Sequence, residues 1–190
     1  MSQILLAIGG PSGVGKTAVI AGVKRTAERS VVRHVEFTTR TRRPNEIDGM
    51  EYYFRTVRDL DRAKQDPKNV GFVNARDCWY WINLGKVHES IQQYPAGIHI
   101  MSISHVQVFR ERKRLFPDLR WIWIDGSDAE IKQRLANRDE RFCESLEYNR
   151  RLASEAVGRI VDLWVHNVQG ELEAAVAEII SFCDALAGGK

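Results

Sequence analysis

Two stretches of the chain bring together residue types suited to holding phosphate. The first is GPSGVGKT at residues 10–17, which matches the pattern GxxxxGK[ST]. Glycines at positions 10, 13 and 15 let the backbone curl, so that N–H groups around Ser12, Gly13 and Val14 turn inward toward phosphate oxygens. Lys16 then reaches the β- and γ-phosphates of a nucleoside triphosphate, and the Thr17 hydroxyl is placed to ligate Mg²⁺. The second stretch is EFTTRTRRPNEIDGMEYYF at residues 36–54. It holds Arg40, Arg42 and Arg43 within four residues, followed by Glu46, Asp48 and a pair of tyrosines. A guanidinium grips phosphate oxygens in pairs and never loses its charge, so this cluster suits a second anionic group. Glu36 at its head has two readings: it faces a ligand, or it pairs with Arg40 or another arginine.

The elements that would position these residues follow from hydrophobic periodicity. The apolar run Ile4 to Ile8 reads as a central parallel strand leading into the glycine-rich loop. Thr17 to Arg29 has helical spacing. A second strand is expected at His34 to Thr39. Residues 40–95 are polar and aromatic-rich, with short helical pieces such as Val57 to Lys64. Strands at Gly97 to Ser104 and Arg120 to Asp125 flank a basic helix from His105 to Arg114. Ser127, with Glu130 three residues on, is a capping box that opens a helix to about Asn137. A charged loop at Arg138 to Arg141, a helix over 144–158, a strand at 160–166 and a helix from Glu171 to Ala187 complete the chain. Strand and helix alternate, which predicts an α/β domain with a parallel sheet covered on both faces.

Composition bounds the partners. The 190 residues are 44% hydrophobic and 28% charged, the balance of one soluble globular domain. A formal net charge of +3 does not argue for a nucleic-acid polymer, although the local arginines favour small anions. Cys78, Cys143 and Cys183 are scattered and odd in number, which speaks against a disulfide framework or zinc site and for a reducing, cytoplasmic compartment. The opening MSQILLAIGG reads as a buried strand rather than a signal segment, and no apolar run is long enough for a membrane.

The phosphate loop followed by TTRTRRPNEIDGMEYYF resembles the guanylate kinase family, which carries GPSGxGK[ST] and then TTRxxRxxExxGxxYxF. KQRLANR, NRRL and DLWVHN resemble later family segments, so the likeness spans roughly residues 4–180. The resemblance implies a P-loop kinase with a five-stranded parallel core (residues 1–35 and 96–190), an inserted monophosphate-binding unit (residues 36–95) and a small lid (residues 138–149). It further implies phosphoryl transfer from ATP, with Mg²⁺, to a nucleoside monophosphate, GMP in the family. By motif position, Arg40, Arg43 and Tyr52 would hold the acceptor phosphate, with Glu46 orienting the arginines. Lys16, Arg43, Arg138 and Arg151 would surround the transferring group, and Asn167 would lie near the adenine.

The phosphate-holding positions match the family; the base-reading ones do not. The family's serine two residues before TTR is Glu36 here, and its guanine-binding glutamate is Asn74. Its NYYG[ST] segment aligns with WYWIN, placing Trp81 and Asn83 at the tyrosine and hydroxyl positions, or Tyr80 after a one-residue slip. The aspartates of the family's LDID become Ser102 and Ser104. Asp125 is a weak metal candidate at the end of the neighbouring strand. Because a site built to hydrogen-bond one base edge rejects analogues strongly, the expected acceptor is a divergent or modified nucleotide. A phosphorylated sugar without a base and a non-catalytic binding module are the alternative readings.

Overall fold

The computed structural model describes residues 3–44, 46–103, 105–135, 161–168 and 170–188. Its central layer is a five-stranded, wholly parallel sheet in the order β2-β7-β1-β8-β9. These strands are Val31–His34 (β2), Ile98–Ser102 (β7), Ile4–Gly9 (β1), Arg120–Asp125 (β8) and Leu163–His166 (β9). The middle strands are apolar on both faces because both faces are covered. Leu6, Ile8, Ile100, Ile122 and Ile124 pack toward Lys16–Thr26 (α1) and Leu172–Gly188 (α6), through Val19, Val23, Val176 and Ile179. Leu5, Ala7, Met101, Trp121 and Trp123 pack on the other side against Val106–Leu115 (α4), where Phe109 stacks on Trp121 with ring centroids 4.3 Å apart. Asp128–Leu135 (α5) begins with the expected box: the Ser127 hydroxyl accepts from the Glu130 N–H, and the Glu130 carboxylate accepts from the Ser127 N–H and hydroxyl.

The expected strand over 34–39 is two strands. β2 ends at His34, and Phe37–Thr38 (β3) belongs to a second, four-stranded sheet in the order β4-β3-β6-β5. The break falls where the Glu36 carboxylate turns into the interior to meet a counter-charge, described below. Residues 40–95 are likewise more regular than their composition suggests. Tyr53–Phe54 (β4), Asn69–Ala75 (β5) and Cys78–Asn83 (β6) complete the second sheet, with helices Val57–Ala63 (α2) and Leu84–Gln93 (α3) beside it. The β5–β6 hairpin hides from sequence because its two-residue turn is Arg76-Asp77. Both residues take positive φ, 55° and 60°, a conformation normally left to Asn and Gly. A register shift between Val70 and Val73 also breaks the strand's alternation. α1 stops at Thr26, short of Arg29, because Ala27 is already extended.

Candidate active site

The phosphate loop leaves β1 through Gly9 and Gly10 and enters α1 at Lys16. Gly10, Gly13 and Gly15 have φ of 148°, 83° and 95°, a backbone that L side chains resist. At Gly10 the requirement is also steric, since a Cβ there would lie 2.2 Å from the Ile124 carbonyl oxygen. The Lys16 ammonium folds over the loop and donates to the Gly10 and Pro11 carbonyls at 2.8 and 2.9 Å. Thr17 is exposed in the first turn of α1. The loop is braced from β9: Asn167, buried, donates its Nδ2 to the Val14 carbonyl at 2.6 Å, and its N–H goes to the Asp125 carbonyl.

The arginine cluster folds around Glu46. Arg40 lies bidentate on that carboxylate, Nη1 to Oε2 at 3.0 Å and Nη2 to Oε1 at 2.8 Å. The Arg43 N–H also donates to Oε2, and the Arg43 guanidinium stands 3.7 Å from Oε1. Burial disfavours the Glu46 charge, but the Arg40 hydrogen bonds and the two arginine charges overcome it and hold its carboxyl below the usual range. Burial works against Arg40 too, and Glu46 more than offsets it. Arg40 is therefore a fixed, half-buried cation with one edge spoken for, stacked 5.4 Å over the Tyr52 ring. Arg42 is exposed and donates to the Glu46 backbone carbonyl.

Glu36 takes the second of its two readings. It is 2% exposed, and its Oε1 accepts from Nε of Arg112 at 2.6 Å. Arg112, on α4, is itself fully buried and also donates to the Gly71 carbonyl of β5. Glu36 thus joins the second sheet to α4 and does not face the cleft. The positions around Trp81 are corrected as well. In a strand, a one-residue slip swaps faces, and here Tyr80 shares a face with Tyr52, their rings edge to face at 5.9 Å. Trp81 is on the opposite face, 1% exposed between Phe37 and Phe72. Asn83 is spent as the N-cap of α3, accepting from the Lys86 N–H while its amide donates to Asn69.

Asn74 is exposed and lines a cavity of about 190 Å³ together with Ala75, Arg76, His105 and Gln107. Of these, sequence reasoning singled out Asn74 alone. Arg76 and His105 carry a signal recognisable only in three dimensions. Burial, and then the charges of Arg76, Lys16 and Arg40, push the His105 imidazole down to about 4. Arg76 lines the same cavity as His105, and the Tyr52 and Tyr80 rings link His105 to Arg40, with Tyr80 and His105 centroids 5.4 Å apart. His105 Nε2 lies 3.4 Å from the Tyr80 hydroxyl. Burial, helped by Tyr52 and Cys78, raises the Tyr80 phenol well above its ordinary value, which leaves it a neutral hydrogen-bonding group. The wall thus combines neutral polar groups, Asn74, Gln107, His105 and Tyr80, with one cation, Arg76.

Asp125 is buried at the end of β8, where its Oδ1 accepts from the Gly126 N–H. Ser102 ends β7 on the other side of β1. Ser104, Arg138, Arg151 and the expected lid at 138–149 lie outside the described residues.

Comparison with known proteins bears on the whole chain. The guanylate kinase family model matches residues 2–185. The chain is similar to the guanylate kinase of Streptococcus pneumoniae, 28% identical over 187 residues, covering 95% of this chain and 88% of that protein. It is 30% identical over 155 residues to the guanylate kinase of Listeria innocua, covering 81% of this chain and 74% of that one. The crystal structure of guanylate kinase from Anaplasma phagocytophilum superposes with a TM-score of 0.70 at 16% identity, over 97% of this chain and 86% of that chain.

Proposed function

The chain belongs to the guanylate kinase family, an ATP-dependent nucleoside monophosphate kinase by that kinship, and from this premise we propose how its residues divide the work. Residues 10–17 hold the ATP phosphates; Arg40, Arg43 and Tyr52 hold the acceptor phosphate; residues 36–95 act as the acceptor-binding unit and 138–149 as the lid. The observation that carries this reading is the line of rings that runs from the Arg40 guanidinium over Tyr52 and Tyr80 to His105, which follows the strand paired with the one that feeds the phosphate loop. Donor and acceptor anions held by Lys16 and Arg40 would meet across one cleft.

The chemistry needs no general base, because an acceptor phosphate oxygen is already anionic near neutral pH. The barrier is the approach of two anions in line. Catalysis is then positioning plus positive charge around the transferred group. Lys16 neutralises the γ-phosphate; Arg43 serves the acceptor phosphate and, as the acceptor approaches, the group in flight; Arg138 and Arg151 are proposed to close on it from the lid's edges. Glu46 sets the Arg40 fork before any substrate arrives, so little ordering remains at the moment of transfer. Mg²⁺ fits a site where Thr17 is exposed directly after Lys16 and no described cluster of three His, Cys, Asp or Glu competes for it. Thr17 would ligate such an ion, phosphates and water would complete its shell, and it would supply charge neutralisation. Asn167 is assigned to the adenine end, where it also braces Val14.

GMP is proposed to be a poor acceptor. Asn74 stands where the family has a guanine-binding carboxylate, and no carboxylate is among the described residues lining the adjoining cavity. Guanine's N1–H and amino group would there exchange an anionic partner for amides, an imidazole and the Arg76 cation. Mismatched hydrogen bonding of that kind costs on the order of 2–5 kcal/mol. The test is an acceptor screen: ATP and Mg²⁺ against ribo- and deoxynucleoside monophosphates, modified bases and phosphorylated sugars. Turnover is expected on one of the nucleotides other than GMP. A GMP rate on the order of 10–10³ s⁻¹ would overturn the base assignment, and preferential turnover of a base-free sugar phosphate would replace it.

A further inference from the structure

The neighbours of His105 fix which of its two ring nitrogens carries the proton. Burial holds the imidazole neutral near pH 7, so it has one N–H and one bare nitrogen. Its Nε2 lies 3.4 Å from the hydroxyl of Tyr80, a residue only 2% exposed. That phenol has no other hydrogen-bond partner among the described residues. Were Nε2 the donor, the phenolic O–H would be left buried with nothing to accept it, which is the costlier arrangement. The phenol therefore donates to Nε2, and the ring proton sits on Nδ1.

Nδ1–H is then a donor with no task inside the protein. His105 stands at the position before α4, where a side chain commonly caps the helix, yet its side chain makes no such bond. No described residue accepts from Nδ1. The ring lines the cavity that it shares with Asn74, Arg76 and Gln107. Asn74 and Arg76 come from the β5–β6 hairpin, Gln107 from the first turn of α4, and all three are exposed. Arg76 can only donate, His105 donates in this tautomer, and each amide can do either. Among the described residues the wall thus offers two fixed donor groups and no fixed acceptor.

We propose, resting on the assignment of this cleft to the acceptor, that His105 is a specificity-determining residue and that the cavity selects a nucleotide with a cytosine edge. Cytosine presents two adjacent acceptors, N3 and O2, beside one amino donor. The His105 Nδ1–H and the Arg76 guanidinium would serve the two acceptors, and an amide oxygen of Asn74 or Gln107 would take the amino group. Guanine's pairing edge has two donors and one acceptor. Uracil puts an N–H between its carbonyls, and adenine lacks the second adjacent acceptor. Each leaves a donor of the wall facing another donor or nothing, a mismatch that sites of this kind reject.

Protein labelled with ¹⁵N-histidine tests both halves. Long-range proton–nitrogen spectra distinguish the two neutral tautomers, and the His105 signals are assigned by their loss in His105→Gln. The expected result is the Nδ1–H tautomer in the free protein and a saturable shift of that nitrogen with CMP, at about tenfold lower concentration than with GMP, UMP or AMP. The Nε2–H tautomer, or a ring that CMP moves no more readily than GMP, overturns the proposal. Kinetics supply a second check. An asparagine amide nitrogen can stand where Nδ1 stands, and a glutamine one where Nε2 stands. His105→Gln should therefore raise the KM for CMP about tenfold with little change in kcat, and His105→Asn should lose less; equal losses in the two variants overturn the donor role. Protein that turns over no nucleotide, while CMP still shifts His105, contradicts the kinase reading and supports the base assignment. Turnover of another nucleotide, with His105 unmoved by CMP, does the reverse.

Discussion

Glu36 and Arg112, 76 positions apart in sequence, form an ion pair in which neither side chain is more than 2% exposed. The pair fastens the first strand of the second sheet to helix α4 of the core. The same guanidinium also holds the Gly71 carbonyl, and Gly71 has no room for a Cβ, which would meet Arg112 Nη1 at 2.4 Å. Removing one partner leaves the other charge buried and unpaired. Arg112→Met alone should therefore cost about 3–5 kcal/mol, whereas Arg112→Met combined with Glu36→Leu should recover much of the loss. Urea unfolding of the three proteins gives both figures; equal stability of the single and double variants would show that the pair is not energetically coupled.

The clamp around Glu46 predicts a separation of effects. Arg43→Ala and Lys16→Ala should each lower kcat/KM by 10²-fold or more, the scale of removing one donor aimed at developing charge, with unfolding curves close to wild type. Glu46→Gln should behave differently. It keeps both arginines but loses the charge that fixes the Arg40 fork, so acceptor KM should rise several-fold with a smaller change in kcat. Initial-rate kinetics with the acceptor found by screening distinguish the two patterns.

The β5–β6 turn stores strain at a place where it is put to use. Arg76 and Asp77 both sit at positive φ, and such positions cost of order 1 kcal/mol or more for residues with a side chain. Asp77→Gly should therefore stabilise the protein by roughly 1 kcal/mol and leave turnover unchanged. Arg76→Asn also suits the turn but removes a cation from beside His105, so it should raise the melting temperature while lowering kcat/KM. Parallel melting and kinetic measurements check the opposition; a fast Arg76→Asn variant would remove Arg76 from the cleft's machinery.

Histidines govern stability on the acid side of neutrality. Burial, with the adjacent His99 ring adding to it, pushes His34 down to about 4, and His105 falls to about 4 as well. A folded-state pKa below the unfolded 6.5 means that the unfolded chain binds more protons between those values. Stability is then full above about 6.5, declines as pH falls toward 4, and changes no further from this source below that. Each group removes on the order of 3 kcal/mol of stability once pH has fallen to about 4. Unfolding free energies at pH 7 and pH 4.5 should differ by several kcal/mol, and His34→Gln should flatten the dependence. A flat profile in the wild type would contradict the neutral burial of these rings.

What could be read from sequence followed local chemistry. The phosphate loop announces itself because three glycines, a lysine and a threonine must occur at fixed spacing between a buried strand and a helix. The parallel core is legible because Ile4 to Ile8 and Arg120 to Asp125 are short apolar runs alternating with amphipathic helices. The second sheet was not, because its hairpin turns on Arg-Asp rather than Asn-Gly and its β5 strand is broken at Gly71. The fates of Glu36, Trp81 and Asn83 depend on partners contributed from elsewhere: Arg112, the rings of Phe37 and Phe72, and the N-terminus of α3. Arg76 and His105 became visible only once a strained turn and the start of α4 were brought to the same wall.

The order of strands in the parallel sheet also dictates a timetable for synthesis. β1 is made first, yet its neighbours are β7 and β8, with Leu6 opposite Ile100 on one side and Arg120 on the other. Until the ribosome has delivered more than half the chain, the most apolar strand has nothing to pair with. The second sheet, drawn from the contiguous stretch between Phe37 and Asn83, can close in the meantime. Non-local pairing of this kind folds slowly, and the nascent chain carries an exposed β1 and an unformed phosphate loop until β7 emerges.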